Sequence, residues 1–430
     1  MSEHFTKTLY TLQSVLSGKE FEDAGWCLDA EKEEKPSLIR TNYQKKQLNT
    51  VNEFSGLYKF ADWLPVNRIL NGSCAPVTYK SIGLANSLGL NNLYITFSGY
   101  WPEMGALMKT CSFKETEAYS VCARLNSNND KILVVASAGN TARAFAKVCS
   151  DNQIPLLLCM PQDSLDAMWF DEPVSECVKL IVTRSGSDYF DAINLSNLVC
   201  AHTKFLPEGG AKNVARRDGM ATTVLSAVTH IGQIPDYYFQ AVGSGTGGIA
   251  AWEANQRLIG DGRFGNKKMK LMVSQNLPFV PIYEAWKADS RNILPMEDSI
   301  ARKQIRKIKA KVLSNRKPPY GVTGGLFDAL KDTNGDVIAI TNRETTIAAK
   351  LFAKTEGIDI HPAAAVATAS LMKNIKELKI EEDAIVMLNI TGGGEHLFKA
   401  NKKLFYLQPH HVFDIDATKE DICQWIESKY

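Results

Sequence analysis

Lys109-Thr-Cys-Ser-Phe-Lys114-Glu-Thr-Glu-Ala-Tyr119 decides how the rest of the chain is read. Ser112 and Glu115 have the Ser-x-x-Glu spacing of a capping box, which predicts a helix from Phe113. Lys114 then falls in the first helical turn, where the positive end of the helix dipole disfavours an ammonium. A lysine that must attack an aldehyde as a neutral amine gains from such a place. Taken alone, the segment reads more simply as an exposed helix lysine. Two loops downstream change its weight.

The first is Ala136-Ser-Ala-Gly-Asn140-Thr141, which follows the apolar run Lys131-Ile-Leu-Val-Val-Ala136. Such a run suits a strand buried on both faces. The loop joins it to a helical pattern over 141–149, so its N–H groups and the hydroxyls of Ser137 and Thr141 face the carboxyl ends of the strands. Asn140 also reads as a plain helix cap. The second is Gly243-Ser-Gly-Thr-Gly-Gly248, after Tyr237–Val242. Gly243, Gly245 and Gly248 satisfy a dinucleotide fingerprint, which wants an acidic residue after a second strand. Asp261 is near that distance but precedes the next strand, Lys270–Ser274. The loop is therefore expected to be a phosphate cup, with Gly247 completing the backbone and Ser244 and Thr246 adding hydroxyls. A lysine opening a helix, a small polar loop and a glycine cup are the parts needed to hold pyridoxal phosphate. Thr391 closes the last apolar strand, 384–390, before three glycines.

The strand and helix signals alternate. Strands are expected at 92–97, 131–136, 156–160, 178–183, 237–242, 270–274 and 384–390. Helices are expected at 113–125, 141–149, 188–200, 249–259, 345–356 and 362–378. This order predicts an α/β protein with mainly parallel sheets and flanking helices. At 430 residues the chain is too long for one core. We expect an N-terminal appendage over 1–60, a smaller substrate-side domain over 91–209, and a larger cofactor-binding domain from 61–90 and 210–430. The basic stretch 301–317 reads as a surface helix.

The order and character of these motifs resemble the fold-type II pyridoxal-phosphate enzymes, the tryptophan synthase β and threonine synthase group. Within it they are most similar to the cysteate synthase family. The resemblance runs from about Trp63 to about Gly394. It implies that Lys114 binds the cofactor aldehyde and later moves the α-proton. It implies that Asn140 meets the ring hydroxyl, that the loop around Ser137 and Thr141 holds the substrate carboxylate, and that Gly243 to Gly248 hold the cofactor phosphate. It places Thr391 at the pyridine nitrogen, where a hydroxyl makes a weaker electron sink than a carboxylate and suits elimination and replacement. It also implies a homo-oligomer. Threonine synthases carry Asn-Pro-Thr-Gly-Ser-Phe-Lys-Asp and Thr-Gly-His-Gly; this chain has Met108-Lys-Thr-Cys-Ser-Phe-Lys-Glu115 and Thr391-Gly-Gly-Gly394.

The implied reaction is O-phospho-L-serine with sulfite to L-cysteate and phosphate. Phosphohomoserine with water is an alternative on the same fold. A non-catalytic phosphate- or nucleotide-binding module is the alternative outside it. Both cysteate substrates are anions, so Lys109, Arg143, Arg216 and Arg217 are candidate substrate contacts, with Lys212 nearby; Lys212, Arg216 and Arg217 fall in 208–219, which reads as a loop. Of Arg216 and Arg217 we expect one to serve the site and one to be structural. Cys111 reads as packing.

Composition excludes other classes. The chain is 45% hydrophobic and 22% charged with net charge +2, so no nucleic-acid partner is expected. No 18-residue apolar run suggests a membrane span, and the N-terminus shows no secretion signal. Nine cysteines without a Cys-x-x-Cys pair predict no structural zinc site and a reducing cytoplasm.

Overall fold

The computed structural model describes residues 5–50, 54–126, 128–377 and 380–429; residues 1–4 and 51–53 of the expected appendage and residue 378 of an expected helix lie outside these. Two parallel sheets dominate. The first runs, in spatial order, Phe205–Pro207, Ile132–Ala136, Leu156–Pro161, Val178–Thr183 and His411–Phe413, all parallel. Every residue of Leu156–Pro161 is buried, as an inner strand covered on both faces must be. The second sheet runs Asp336–Ile340, Lys270–Asn276, Tyr237–Ala241, Ile385–Ile390, Asn92–Phe97 and Val77–Lys80, parallel except at the last pair.

Sheet membership differs from the expected boundaries twice. Asn92–Phe97, expected in the smaller unit, pairs with Ile385–Ile390 from Asn92 opposite Ile385 to Phe97 opposite Ile390. His411–Phe413, expected in the larger unit, instead covers the free edge of Val178–Thr183, and Trp425 and Ile426 of the helix Lys419–Lys429 pack with Ile181 and Leu195. Within 1–60, Glu20–Phe21, Tyr10–Ser14 and Ile39–Tyr43 form a small antiparallel sheet.

Two local expectations are corrected. The segment 208–219, read as a loop, turns helical at Val214 and runs to Ile231, with the Asn213 side chain capping the Ala215 N–H at 3.0 Å. Gly219 sits inside that helix because a Cβ there would lie 2.3 Å from the Thr116 carbonyl oxygen. The absent side chain lets this helix press against Lys114–Arg124, the helix that carries the key lysine. The basic stretch 301–317 is helical only within Asp298–Ile305 and then forms an irregular strap with a short turn at Lys311–Leu313. Arg302 and Arg316 tie this strap to Asp188 and Asp191, at the capped start of the helix Tyr189–Cys200.

Candidate active site

Strand ends and helix starts from both sheets surround a cavity of about 900 Å³, counting space open to solvent. Lys114, Ser137, Asn140, Thr141, Gly243, Ser244, Gly245, Thr246, Gly247, Arg216 and Thr391 all line it. Segments more than a hundred residues apart in sequence are thus brought to one place.

The helix bearing Lys114 starts one residue later than expected, at Lys114 itself. The Ser-x-x-Glu pattern does not close as a capping box. Ser112 Oγ accepts the Lys114 N–H at 3.1 Å, but Glu115 turns away and accepts the Thr110 N–H at 2.6 Å. What fixes the start is tertiary: the Phe113 N–H donates to the Thr391 carbonyl at 3.0 Å, and Ser112 bridges to Gly392. Backbone pairing between 112–113 and 391–392 thus holds Lys114 beside Thr391.

Lys114 keeps 20% of its side-chain surface exposed, and Nζ lies 3.0 Å from Glu117 Oε2. Burial pulls its pKa below the ordinary lysine value; Glu117 opposes this and Arg216 reinforces it. Burial, not the helix dipole, is thus the leading cause. Glu117 would itself be raised by burial, but Arg216 and Lys114 outweigh that and hold its carboxyl below the usual range. Arg216 closes the network: its guanidinium donates to Glu117 at 2.9 and 3.2 Å and to Glu208 at 2.7 Å.

The glycine loop fits a phosphate. The helix after it begins at Thr246 rather than Ile249, so Gly247 and Gly248 belong to its first turn, and Gly245 at φ +83° is the residue before it. The first N–H groups of a helix have no intrahelical partners, and its dipole favours an anion there. A Cβ on Gly247 would come within 2.3 Å of Gln240 Nε2, and one on Gly243 within 3.1 Å of the strap at Val312 and Leu313. The Ser244 and Thr246 hydroxyls sit 2.8 Å apart at the same end. Asn140 Oδ1 accepts from Arg143 at 2.9 Å, which leaves its NH₂ as the donor toward the cavity. Backbone donors, two hydroxyls, an amide donor and a primary amine are a donor set that suits pyridoxal phosphate. Asp261, the residue weighed for a nucleotide ribose, ends the following helix and accepts from the Leu48 N–H and Arg263.

Other candidates lie elsewhere. Gly248 sits one step behind the cavity, against Leu326. Lys109 points to Asp171 and Glu172, 38% exposed. Arg143 is buried over the Trp169 ring at 4.1 Å and donates to the Thr110 and Ala167 carbonyls, so it braces the loop before Lys114. Arg217 is 1% exposed and is spent on Glu253 at 2.9 Å and on the Ala211 and Ile39 carbonyls. Lys212 pairs with Asp29. Cys111 is buried, and burial pushes its thiol up, away from nucleophilic use.

Sequence reasoning missed Glu117, Tyr189, His361 and the strap residues Ser314 and Asn315. All but Glu117 line the cavity. His361 Nε2 lies 2.9 Å from Glu395 Oε2, and a Cβ on Gly392 would fall 2.4 Å from its Nδ1. The only local signal was the His361-Pro362 start of a helix, which says nothing about what the imidazole faces.

Two parallel sheets enclosing a lysine at a helix start, opposite a glycine cup, define a fold-type II pyridoxal-phosphate-dependent enzyme. The model of the pyridoxal-phosphate dependent enzyme family matches residues 96–392. Maize serine racemase has the same fold, with a TM-score of 0.56 at 14% identity over 74% of this chain and 88% of that one. Serine racemase from Dictyostelium discoideum gives 0.52 at 18% identity over 74% and 92%. The chain belongs to this enzyme family and, within it, to the cysteate synthase family. Cysteate synthase of Methanosarcina mazei is 47% identical over 93% of this chain and 95% of its own length. That of Methanosarcina barkeri is 49% identical over 87% and 90%, and that of Methanospirillum hungatei 43% over 98% of both. Among the described residues no helix is long and apolar enough to cross a membrane.

Proposed function

We propose that this enzyme replaces the phosphate of O-phospho-L-serine with sulfite, giving L-cysteate and phosphate. The observation that carries the reading is likeness along nearly the whole chain to proteins named cysteate synthase, up to 98% of both lengths. Bound pyridoxal phosphate supplies an electron sink that acidifies the α-carbon and loosens the β-substituent. The protein's own part follows from its residues. Lys114 would hold the cofactor, and its Nζ would take the α-proton and later return it. The Cβ–O bond breaks with its electron pair going to phosphate. The sulfur lone pair of sulfite then forms the C–S bond at the same carbon.

The Gly243–Gly247 loop would anchor the cofactor phosphate, Asn140 would meet the ring hydroxyl, and Ser137 and Thr141 would hold the substrate carboxylate. Thr391 offers the ring nitrogen a hydroxyl rather than a carboxylate, which favours elimination and replacement over transamination. With Lys109, Arg143 and Arg217 committed elsewhere, Arg216 and His361 are the basic lining residues besides Lys114. Arg216, its charge shared with Glu117 and Glu208, would offer guanidinium N–H donors to an anionic leaving group or nucleophile, and His361 an imidazole. The strap at Val312–Asn315 limits water on the phosphate side.

The test is phosphate release from phosphoserine and from phosphohomoserine, each with and without sulfite, with cysteate measured directly. The reading requires phosphoserine use and sulfite-dependent cysteate. Turnover of phosphohomoserine alone, with no cysteate formed, would replace it with the threonine synthase chemistry.

A further inference from the structure

Glu117 is wholly buried, yet none of the cavity functions above uses it. It lies one helical turn after Lys114, so the two side chains share a face. One carboxylate oxygen accepts from Lys114 Nζ at 3.0 Å and from Arg216 Nε at 3.2 Å; the other accepts from Arg216 Nη2 at 2.9 Å. Arg216 is held from its far side by Glu208 at 2.7 Å. Glu117 is thus pinned by a guanidinium that cannot swing away, and it presents a fixed acceptor to the lysine.

We propose that Glu117 is a positioning residue that sets both the direction of the Lys114 amine and the ease with which it takes up a proton. This rests on the reading of Lys114 as the cofactor lysine and extends it. A buried amine with no anion beside it would stay neutral, good for capturing an aldehyde and poor for holding an abstracted proton. A carboxylate at hydrogen-bond distance restores the second capacity. Arg216, on the other side of that carboxylate, keeps the amine from being locked as an ammonium. The groups that bear on Lys114 come from every element around it. Glu117 is on its own helix, Arg216 on Val214–Ile231, and Glu208 just before that helix. Tyr189 starts the helix Tyr189–Cys200, and His361 lies at the start of Pro362–Lys376. Only Glu117 touches the amine among the hydrogen bonds and ion pairs of the described residues.

The proposal has a sign as well as a place. Removing the anion must lower the pH at which Lys114 loses its proton; removing Arg216 must raise it. The experiment is competitive acetylation of Lys114 in the cofactor-free full-length chain, read by mass spectrometry across neutral and alkaline pH. The chains compared are the wild type, Glu117→Gln, Glu117→Asp and Arg216→Gln. Glu117→Gln should move the midpoint down by about one pH unit, roughly a tenfold gain in amine reactivity below it. Arg216→Gln should move it up, and Glu117→Asp, which keeps the charge, should fall between wild type and Glu117→Gln. General loosening of the helix would shift both neutral variants the same way; that result, or coincident midpoints, overturns the proposal. If Glu117→Gln does not fold, an upward shift in Arg216→Gln with Glu117→Asp near wild type sustains it, and a null or downward shift in Arg216→Gln ends it. Borohydride fixation of the cofactor is run in parallel. A label on a different lysine sinks the cofactor reading itself, whereas a label on Lys114 with unmoved midpoints sinks only the role of Glu117.

Discussion

The helix Val214–Ile231 presents two neighbouring arginines to two different worlds. Successive helical residues point about 100° apart, so Arg216 and Arg217 cannot share a partner. Arg216 faces the cavity and balances Glu117 and Glu208 beside Lys114. Arg217 faces away from the cavity and donates to Glu253 of the helix Thr246–Asp261, to the Ala211 carbonyl and to the Ile39 carbonyl of the N-terminal sheet. Both are buried, and burial alone would make them equivalents. The difference is in what they leave open. On the cavity side a carboxylate is shared with the Lys114 amine, which in the proposed reaction gains and loses a proton. On the scaffold side Glu253 is shared between Arg217 and Arg40, two fixed cations, and the same kind of ion pair docks Ile39–Tyr43 against the core.

If that division is right, cavity-side changes cost chemistry and scaffold-side changes cost stability. Lys114→Ala is the extreme case: turnover and the visible cofactor chromophore should vanish while circular dichroism and melting stay near wild type, since Glu117 keeps Arg216. Gly245→Val comes next. A β-branched residue at φ +83°, with its Cβ 2.9 Å from Leu326 Cδ2, strains the loop. Strain of about 1–3 kcal/mol should weaken cofactor affinity by roughly ten- to a hundredfold, measured by cofactor titration.

The arginine pair is the sharpest cut. Arg217→Gln leaves Glu253 short of its closest partner. Glu253 keeps Arg40 at 3.2 Å, so the loss should be on the order of 1–3 kcal/mol of stability in denaturant unfolding, with the kinetic constants of the folded fraction preserved. Arg216→Gln should lose about ten- to a hundredfold in efficiency toward phosphoserine or sulfite. Equal kinetic damage from both variants would erase the distinction.

The narrowest effect sits next to Lys114 but on the scaffold side. Burial raises the Glu115 carboxyl to about 7 from its ordinary value. The unfolded chain therefore releases this proton at lower pH than the folded one. Stability from this group is intact at acid pH and is lost as pH rises from its unfolded value through about 7. Glu115→Gln should flatten that decline, by on the order of 3 kcal/mol, in unfolding curves compared between mildly acidic and mildly alkaline pH.

What could be read in advance tracks how local the signal is. Strand-loop-helix junctions announce themselves through an apolar run followed by small residues, which is why Ile132–Ala136 and Tyr237–Ala241 and their loops were legible. The helix at 214–231 was missed because a glycine and a run of threonines and valines argue against helix. Only its docking on Lys114–Arg124 explains Gly219. The strap at 311–315 and His361 enter the cavity by tertiary routes with no sequence pattern of their own. The capping box failed for a related reason: Ser112 and Glu115 had the spacing, but the Thr110 N–H was the nearer claimant on the carboxylate.

The central claim is that the amine at the start of the helix Lys114–Arg124 carries the cofactor. Borohydride reduction of the purified enzyme followed by peptide mapping tests it most directly. The account predicts a pyridoxyl group on the peptide containing Lys114 and on no other. A modified lysine elsewhere, or a reduced link that survives Lys114→Ala, would contradict it.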